Sequence, residues 1–393
     1  MTEFALVAVG RPVRGEFTYL VPEALRGVLQ PGQRIRVPFG RGLALGFFLA
    51  YAPEPTPEVR KKLKPSGALR DVDAALSPDV VQLARFAAHH YRYPLGEALR
   101  ATLPPGLTKA DEGKQAKGDG VVHARALPEA KLEALTRAPQ QHATLSYLLA
   151  VGGRAPIEEV DHAIPGAKAV LKKLVERGFI ALEEEAVVRG VREGLQQSRP
   201  AAMTDDQALA VDALCAALER GEFAPHLLHG VTGSGKTEVY LRVVERALEL
   251  GKGALILVPE IALTPQLVGR FRSRFGDQVA LLHSALKDRE RLKHWQDLRA
   301  GKVKLAVGVR SAIWAPVANL GVVVVDEEHD PSFKQEEKLR YQARDLAVMR
   351  GKQSNALVIL GSATPSLERW ENAKRGRYPL LSMPRRVDDR PMP

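Results

Sequence analysis

Short apolar runs at residues 5–9, 17–21, 34–37 and 43–51 open the chain, and Gly10, Pro12, Pro31, Gly32, Gly40 and Gly42 punctuate them. Runs of this length between turn-forming residues predict strands joined by tight turns. At residues 77–91 the apolar positions recur at helical spacing. Ser77 suits the N-cap and Pro78 the first helical position, where a missing N–H costs nothing. Pro104, Pro105 and Gly106 close this β-rich unit, 1–106. Residues 108–120 then carry three Gly, three Lys and almost no large apolar side chain, so a flexible linker is expected over 107–126.

The next stretch, 127–191, reads as a small helical module with helices at 144–150, 157–163 and 167–177. The third sets an apolar face against Lys172, Lys173 and Arg177; Gly178 ends it, and residues 179–182 read as a strand. Three helices followed by a β-hairpin form a winged-helix pattern, whose third helix can enter a DNA groove. Modules of the same pattern also serve protein contacts or space two domains.

From residue 200 the pattern changes again. Apolar, β-branched runs at 226–231, 254–259, 279–283, 303–309, 321–326 and 356–361 alternate with helical stretches such as 236–250, 287–299 and 343–352. Near-continuous apolar strands separated by helices predict a parallel sheet covered on both faces. The expected fold is therefore multidomain α/β: a small β-rich N-terminal domain, a winged helix, and a P-loop lobe with a parallel sheet over 200–393.

Candidate chemistry sits at the strand ends of that lobe. Gly230-Val231-Thr232-Gly233-Ser234-Gly235-Lys236-Thr237 matches the phosphate-loop pattern between a strand and a helix. Glycines let the backbone curl around an anion, and successive N–H groups and the helix N-terminus face it. Lys236 is expected to reach the β- and γ-phosphates of ATP, and the Thr237 hydroxyl to ligate Mg²⁺. Downstream, Val322-Val323-Val324-Val325 delivers Asp326-Glu327-Glu328-His329 at the carboxyl end of a strand, where ligands bind in open α/β sheets. Asp326 is placed to hold Mg²⁺ and Glu327 to orient an attacking water. Gly361-Ser362-Ala363-Thr364-Pro365 offers hydroxyls at Ser362 and Thr364 that can bond the acidic box, Glu328 and His329 included.

Charge and composition add less. The 393 residues carry a formal net charge of +11, which suits a polyanionic partner such as nucleic acid. Cys215 is the only cysteine, so no intrachain disulfide and no cysteine zinc cluster can form. The lone thiol lies in an apolar helical stretch and reads as a small buried hydrophobe. No apolar run reaches 18 residues, so no membrane span is expected and a cytoplasmic protein is the default.

Together with Gln207 and Leu257-Val258-Pro259-Glu260-Ile261-Ala262-Leu263-Thr264-Pro265-Gln266, these motifs resemble the first lobe of a superfamily 2 DNA helicase, a RecA-like fold. More narrowly, the chain resembles the PriA (primosomal protein N′) family of replication-restart helicases. The marks are the phosphate loop continued through Glu238-Val239-Tyr240, Gly308-Val309-Arg310-Ser311-Ala312-Ile313-Trp314-Ala315-Pro316, and the acidic box continued to Arg340-Tyr341. The N-terminal region agrees in Phe17-Thr18-Tyr19, Val37-Pro38-Phe39-Gly40, Tyr93-Pro94-Leu95-Gly96 and Leu103-Pro104. That region also argues against an unrelated translocase lobe.

The resemblance implies several roles. The N-terminal domain would bind the 3′ end of a strand at a forked DNA near Phe17, Thr18, Tyr19 and Gly40, with Thr18 where the family usually has an acidic residue. Gln207 would contact adenine. An aromatic-rich loop over 330–341 would touch DNA through Phe333, Lys334, Arg340 and Tyr341, since rings stack on bases and cations take phosphates. ATP and Mg²⁺ would be the cofactors, with 3′-to-5′ unwinding as the activity. Single-stranded DNA-binding protein and primosome proteins would be the partners. The motif set stops at the first lobe. Zinc is therefore expected only in a second lobe beyond this sequence, together with the arginine finger, and this chain is expected to bind ATP and fork DNA but hydrolyse poorly. The alternative is a non-motor protein that recognises forks and recruits the primosome.

Overall fold

The computed structural model describes residues 3–71, 74–104, 107, 120–127, 132–136, 138–186, 202–283 and 286–387. The described chain divides into two compact units, residues 113–192 and the remainder.

The N-terminal part of the larger unit is a four-stranded antiparallel sheet of β1 (Phe4–Val9), β2 (Phe17–Leu20), β3 (Arg34–Phe39) and β4 (Gly42–Ala52), in the order β2-β1-β4-β3. The four expected strands are all present. The sheet curls until its two edge strands meet: Tyr19 Oη donates to the Pro38 carbonyl at 3.1 Å, and the rings of Phe17 and Phe39 pack edge-to-face at 5.2 Å. The expected helix is Pro78–His90, and a second helix, Leu95–Thr102, follows it. Gly96 permits this second packing, because a Cβ there would lie 1.8 Å from the Val9 carbonyl oxygen.

Residues 113–192 form the small unit. β5 (Gly120–Ala126), β6 (Arg154–Pro156) and β7 (Ile180–Ala186) make an antiparallel sheet in the order β6-β5-β7, with helices Pro139–Ala150, Ile157–Ala163 and Ala167–Glu176 around Leu135, Leu145, Leu148, Val160, Leu171 and Leu174. One expectation is corrected: the linker expected over 107–126 ends in a strand, β5, and residues 108–119 lie outside the described residues. β7 pairs with β5, which precedes the helices; residues 187–200, where the expected hairpin would continue, lie outside the described residues. Val121 and Val122 supply the β-branched character of β5, which the Gly- and Lys-rich residues just before it conceal in a composition window. Lys173 and Arg177 are exposed on the third helix.

The remainder of the larger unit is a seven-stranded, all-parallel sheet. Its strands are β8 (Ala224–Gly230), β9 (Gly253–Leu257), β10 (Val279–Leu282), β11 (Leu305–Gly308), β12 (Leu320–Val325), β15 (Leu357–Ser362) and β16 (Leu380–Met383), in the order β10-β11-β9-β12-β15-β8-β16. Two short strands, β13 (Lys334–Gln335) and β14 (Tyr341–Gln342), form a hairpin outside it. Both faces are covered, as the apolar runs require: Val322 and Val324 enter one core with Leu214, Val239 and Val243, while Val323 and Val325 enter the other with Leu346, Trp295 and Leu298. The second of these cores is continuous with the N-terminal domain, since Val80, Leu83, Ala84 and Ala87 belong to it too. At about 1.5–3 kcal/mol for each large aliphatic side chain buried, this shared core holds the two parts of the unit together. β16, an edge strand too short and too exposed to stand out in the sequence, completes the sheet beside β8.

Candidate nucleotide-binding site and its surroundings

The phosphate loop leaves β8 and enters the helix Lys236–Glu249. Gly233 and Gly235 have φ of 84° and 82°, which only glycine adopts cheaply. Gly235 is also required for space, because a Cβ there would lie 2.1 Å from Gln207 Nε2. Lys236 is 8% exposed; its Nζ donates to the Gly230 carbonyl at 2.9 Å and lies 3.4 Å from Glu327 Oε1. Thr237 and Val231 are half-buried and Thr232 is exposed at the loop tip.

Gln207, the expected adenine contact, is 3% exposed and engaged within the chain. Its Nε2 donates to the Ser234 carbonyl at 3.1 Å, and its Oε1 accepts from the Thr204 amide at 3.0 Å. The second bond belongs to a capping box in which Thr204 Oγ1 accepts from the Gln207 amide, the arrangement that starts helix Asp205–Arg220. In this conformation Gln207 is a strut between that helix and the loop.

Asp326 stands at the end of β12, packed densely on most sides. Tyr240 Oη donates to its Oδ1 at 3.0 Å, and the Glu327 amide donates to the same oxygen at 3.1 Å. Burial, with the Glu327 carboxylate beside it, pushes Asp326 up to about 6 despite these bonds. Glu327 has φ of 45°, a left-handed conformation that costs a non-glycine residue about 1–2 kcal/mol. Glu328 is fully buried and receives the Ser366 amide at 2.7 Å, the Ser366 hydroxyl at 3.1 Å and Arg344 at 3.4 Å. His329 Nδ1 lies 2.8 Å from Ser362 Oγ and its Nε2 3.3 Å from Thr364 Oγ1. The acidic box and the Ser-Ala-Thr turn are thus one network, joined to Lys236 through Glu327.

Sequence reasoning missed Tyr240, Arg344 and Ser366 as parts of this network. For Tyr240 a signal existed in Gly361: a Cβ at that position would lie 1.7 Å from Tyr240 Oη, so the glycine makes room for the hydroxyl. The donor set fits a magnesium triphosphate. Ser234 Oγ is buried without a hydrogen-bond partner among the described residues, Lys236 is the adjacent cation, and Asp326 is a carboxylate whose raised pKa a divalent cation would reverse.

The expected DNA contacts are less uniform. Phe17 and Thr18 are half-buried and Gly40, at φ 60°, is exposed at the β3–β4 turn, while Tyr19 is buried and bonded to Pro38. Curling of the sheet places Phe17 beside Phe39, a ring not assigned a role from the sequence. In the aromatic-rich loop the expectation of base stacking is corrected: Phe333 is 0% exposed, and Tyr341 is 7% exposed with its ring against Trp314 at 5.4 Å. Burial pushes the Tyr341 hydroxyl up to about 12. Large rings next to an apolar core gain more by packing than by standing in water. Lys334 and Arg340 do face solvent, and Arg310 pins the loop by donating to the Ser332 and Lys334 carbonyls at 3.3 and 3.0 Å.

Comparison with known proteins places these parts. Residues 6–104 match the PriA 3′DNA-binding domain, and residues 204–373 match the DEAD/DEAH box helicase domain. The class is therefore that of a chain in which a match to a 3′DNA-binding domain precedes a match to a DEAD/DEAH box helicase domain. In both its domain matches and its relatives the chain is similar to the PriA replication-restart family. It is 34% identical to the replication restart protein PriA of Bacillus subtilis (strain 168) over 96% of this chain and 55% of that protein. To that of Chlamydia pneumoniae it is 36% identical, over 98% and 51%. It thus spans about half the length of these curated relatives. Among solved structures, that of RecG bound to a three-way DNA junction is similar over 66% of this chain and 31% of that one, with 22% identity and a TM-score of 0.39.

Proposed function

We propose that this chain is the fork-recognising and ATP-binding part of a replication-restart helicase that unwinds DNA in the 3′-to-5′ direction. The observation that carries the reading is the joining of Lys236, Glu327, His329, Ser362 and Thr364 in one network at the strand ends of the parallel sheet. Lys236 and the loop amides from Gly230 to Thr237 bind the phosphates. Thr237 and Asp326 would hold Mg²⁺, which when bound neutralises phosphate charge. Glu327 orients water, and His329 with Ser362 and Thr364 ties that position to the rest of the sheet. Gln207 fixes the loop, and one of its two Nε2 hydrogens remains for adenine.

The 3′ end of a strand is received by the curled N-terminal sheet near Phe17, Thr18, Tyr19 and Gly40, with Tyr19 as the buried support. Lys334 and Arg340 take backbone phosphates beside the motor. The family resemblance supports single-stranded DNA-binding protein and primosome proteins as partners, and a cytoplasmic location; no helix among the described residues is long and apolar enough to cross a membrane.

Two measurements test this. Calorimetric titration with MgATP should show binding that Lys236→Ala weakens by at least about tenfold, since a hydrogen bond to a charged group contributes about 1.5–3 kcal/mol. A forked duplex with a free 3′ end should bind more tightly than one whose 3′ end is blocked. In the full-length protein, strand displacement that survives Lys236→Ala would overturn the motor reading and leave fork recognition with primosome recruitment.

A further inference from the structure

Beside the phosphate loop runs the stretch of chain that leaves β16. β16 pairs in parallel with β8 in a register that sets Met383 opposite Gly230, so the strand ends level with the first residue of the loop. The pairing does not stop there. The Val231 amide donates to the Met383 carbonyl at 3.2 Å, and the Val387 amide donates to the Gly233 carbonyl at 3.0 Å. Side chains follow the backbone: the Arg386 stem lies 3.8 Å from where a Cβ of Gly233 would be, and Val387 Cγ2 lies 3.0 Å from the same point on Gly235. Arg385 reaches Asp206, the residue before Gln207, with two bonds of 2.8 and 3.1 Å.

We infer that residues 384–387 are a positioning element of the nucleotide site, bracing the phosphate loop beside Gln207. The inference rests on nucleotide binding at this loop. Its physical basis is the peptide between Gly233 and Ser234. The carbonyl of that peptide accepts from Val387, and its amide donates to the Val231 carbonyl at 3.0 Å, so the plane is fixed at both ends. The next carbonyl, Ser234, is fixed by Gln207. In a trans peptide the C=O and N–H point in opposite directions, so drawing the Ser234 carbonyl toward Gln207 turns the Gly235 N–H the other way, toward the cradle. A loop whose glycines sit at positive φ has many other conformations open to it, and two outside tethers select the one that can bind an anion. Removing one tether therefore lowers affinity by lowering the fraction of loop already in the binding shape. The coupling is reciprocal: an anion that holds the loop in that shape also holds residues 384–387 against it.

The test is a MgADP titration of the wild type, Val387→Pro, Val387→Ala, Arg385→Ala and Lys236→Ala, with unfolding followed in parallel. Proline removes the Val387 N–H, whereas alanine keeps it and serves as the conservative control. One hydrogen bond contributes about 1 kcal/mol, so Val387→Pro should weaken binding about fivefold while Val387→Ala stays near the wild type. Arg385→Ala should cost about twofold, because that ion pair is largely exposed. Wild-type affinity in Val387→Pro, with binding lost in Lys236→Ala, would overturn the brace and leave the nucleotide site standing. No binding of MgADP or MgATP by the wild type would overturn both. A second measurement needs no variant: hydrogen exchange at the Val387 amide should slow at least about fivefold in saturating MgADP. Unchanged exchange at that amide, with nucleotide bound, would also overturn the brace.

Discussion

Arg350 and Asp326 are both charged side chains withdrawn from water, one in the seam between the N-terminal domain and the parallel sheet, the other at the mouth of the phosphate loop. Arg350, on helix Ala343–Gln353, is fully buried, and its terminal nitrogens donate to the Ile313 carbonyl at 2.5 Å, the Ala315 carbonyl at 2.6 Å and Asp79 Oδ2 at 2.8 Å. Asp79 lies in the first turn of helix Pro78–His90. At the other end of that helix, Tyr91 Oη accepts the Gln342 amide at 3.1 Å. The seam is therefore pinned at both ends of one helix. Asp326 has a hydroxyl and an amide on one oxygen, a like charge beside it, and a pKa raised to about 6. The difference separates structural from functional burial. In the seam both terminal nitrogens of the cation meet acceptors, which confers stability, and its Nε is left without one among the described residues. At the loop, Ser234 Oγ lacks a partner among the described residues, Asp326 is ill at ease when ionised and Glu327 has a strained backbone, so capacity remains for a ligand to fill.

Five substitutions press on this contrast. The largest effect belongs to Arg350→Met, which strips a buried pair of its cation and takes a donor from the Ile313 and Ala315 carbonyls and from Asp79, leaving the Ala315 carbonyl the Val317 amide. Breaking such a pair costs about 3–5 kcal/mol, to be read as a lower denaturant midpoint. A midpoint equal to the wild type would show that the seam does not depend on this residue. Phe333→Ala comes next, with a loss of about 3–4 kcal/mol expected for a ring truncated in a core. Were Phe333 a base-stacking residue instead, its removal would leave unfolding untouched and weaken DNA binding.

Asp326→Asn has the opposite sign. The folded pKa of about 6 lies above the ordinary value of 3.8, so protonated Asp326 is favoured in the folded state. Its contribution is fully present below about pH 4 and is lost as pH rises through about 6. At pH 7, free of metal and nucleotide, the asparagine variant should be more stable by about 2 kcal/mol, and the gain should vanish by about pH 4. A gain that does not change between these pH values would contradict the buried-carboxylate account. Tyr240→Phe should move the same pH dependence upward, because the lost hydroxyl stabilises the ionised form. The smallest effect is that of Lys334→Ala: no measurable change in unfolding, and a salt dependence of DNA binding shallower by about one counterion. An unchanged salt slope would remove Lys334 from the phosphate contacts.

What could be read from the sequence alone was whatever depends on neighbours along the chain. The four N-terminal strands, helix Pro78–His90 and six of the seven parallel strands of the lobe, all but β16, follow from apolar spacing and turn residues. The phosphate loop follows from glycines at positions that need positive φ, and the Asp326 box from a buried strand ending in charge. The tertiary structure decided what depends on neighbours through space. It alone paired β5 with β7, folded Phe333 and Tyr341 inward, and tied Gln207 to Ser234. It also set Tyr240 on Asp326, placed Arg350 against Asp79 across 271 residues, and laid Val387 along the phosphate loop. The physical reason is one of range. Backbone dihedral preference and side-chain periodicity act over a few residues, whereas the direction of a ring or the partner of a buried charge is chosen by whichever surface the packed chain brings within hydrogen-bonding distance.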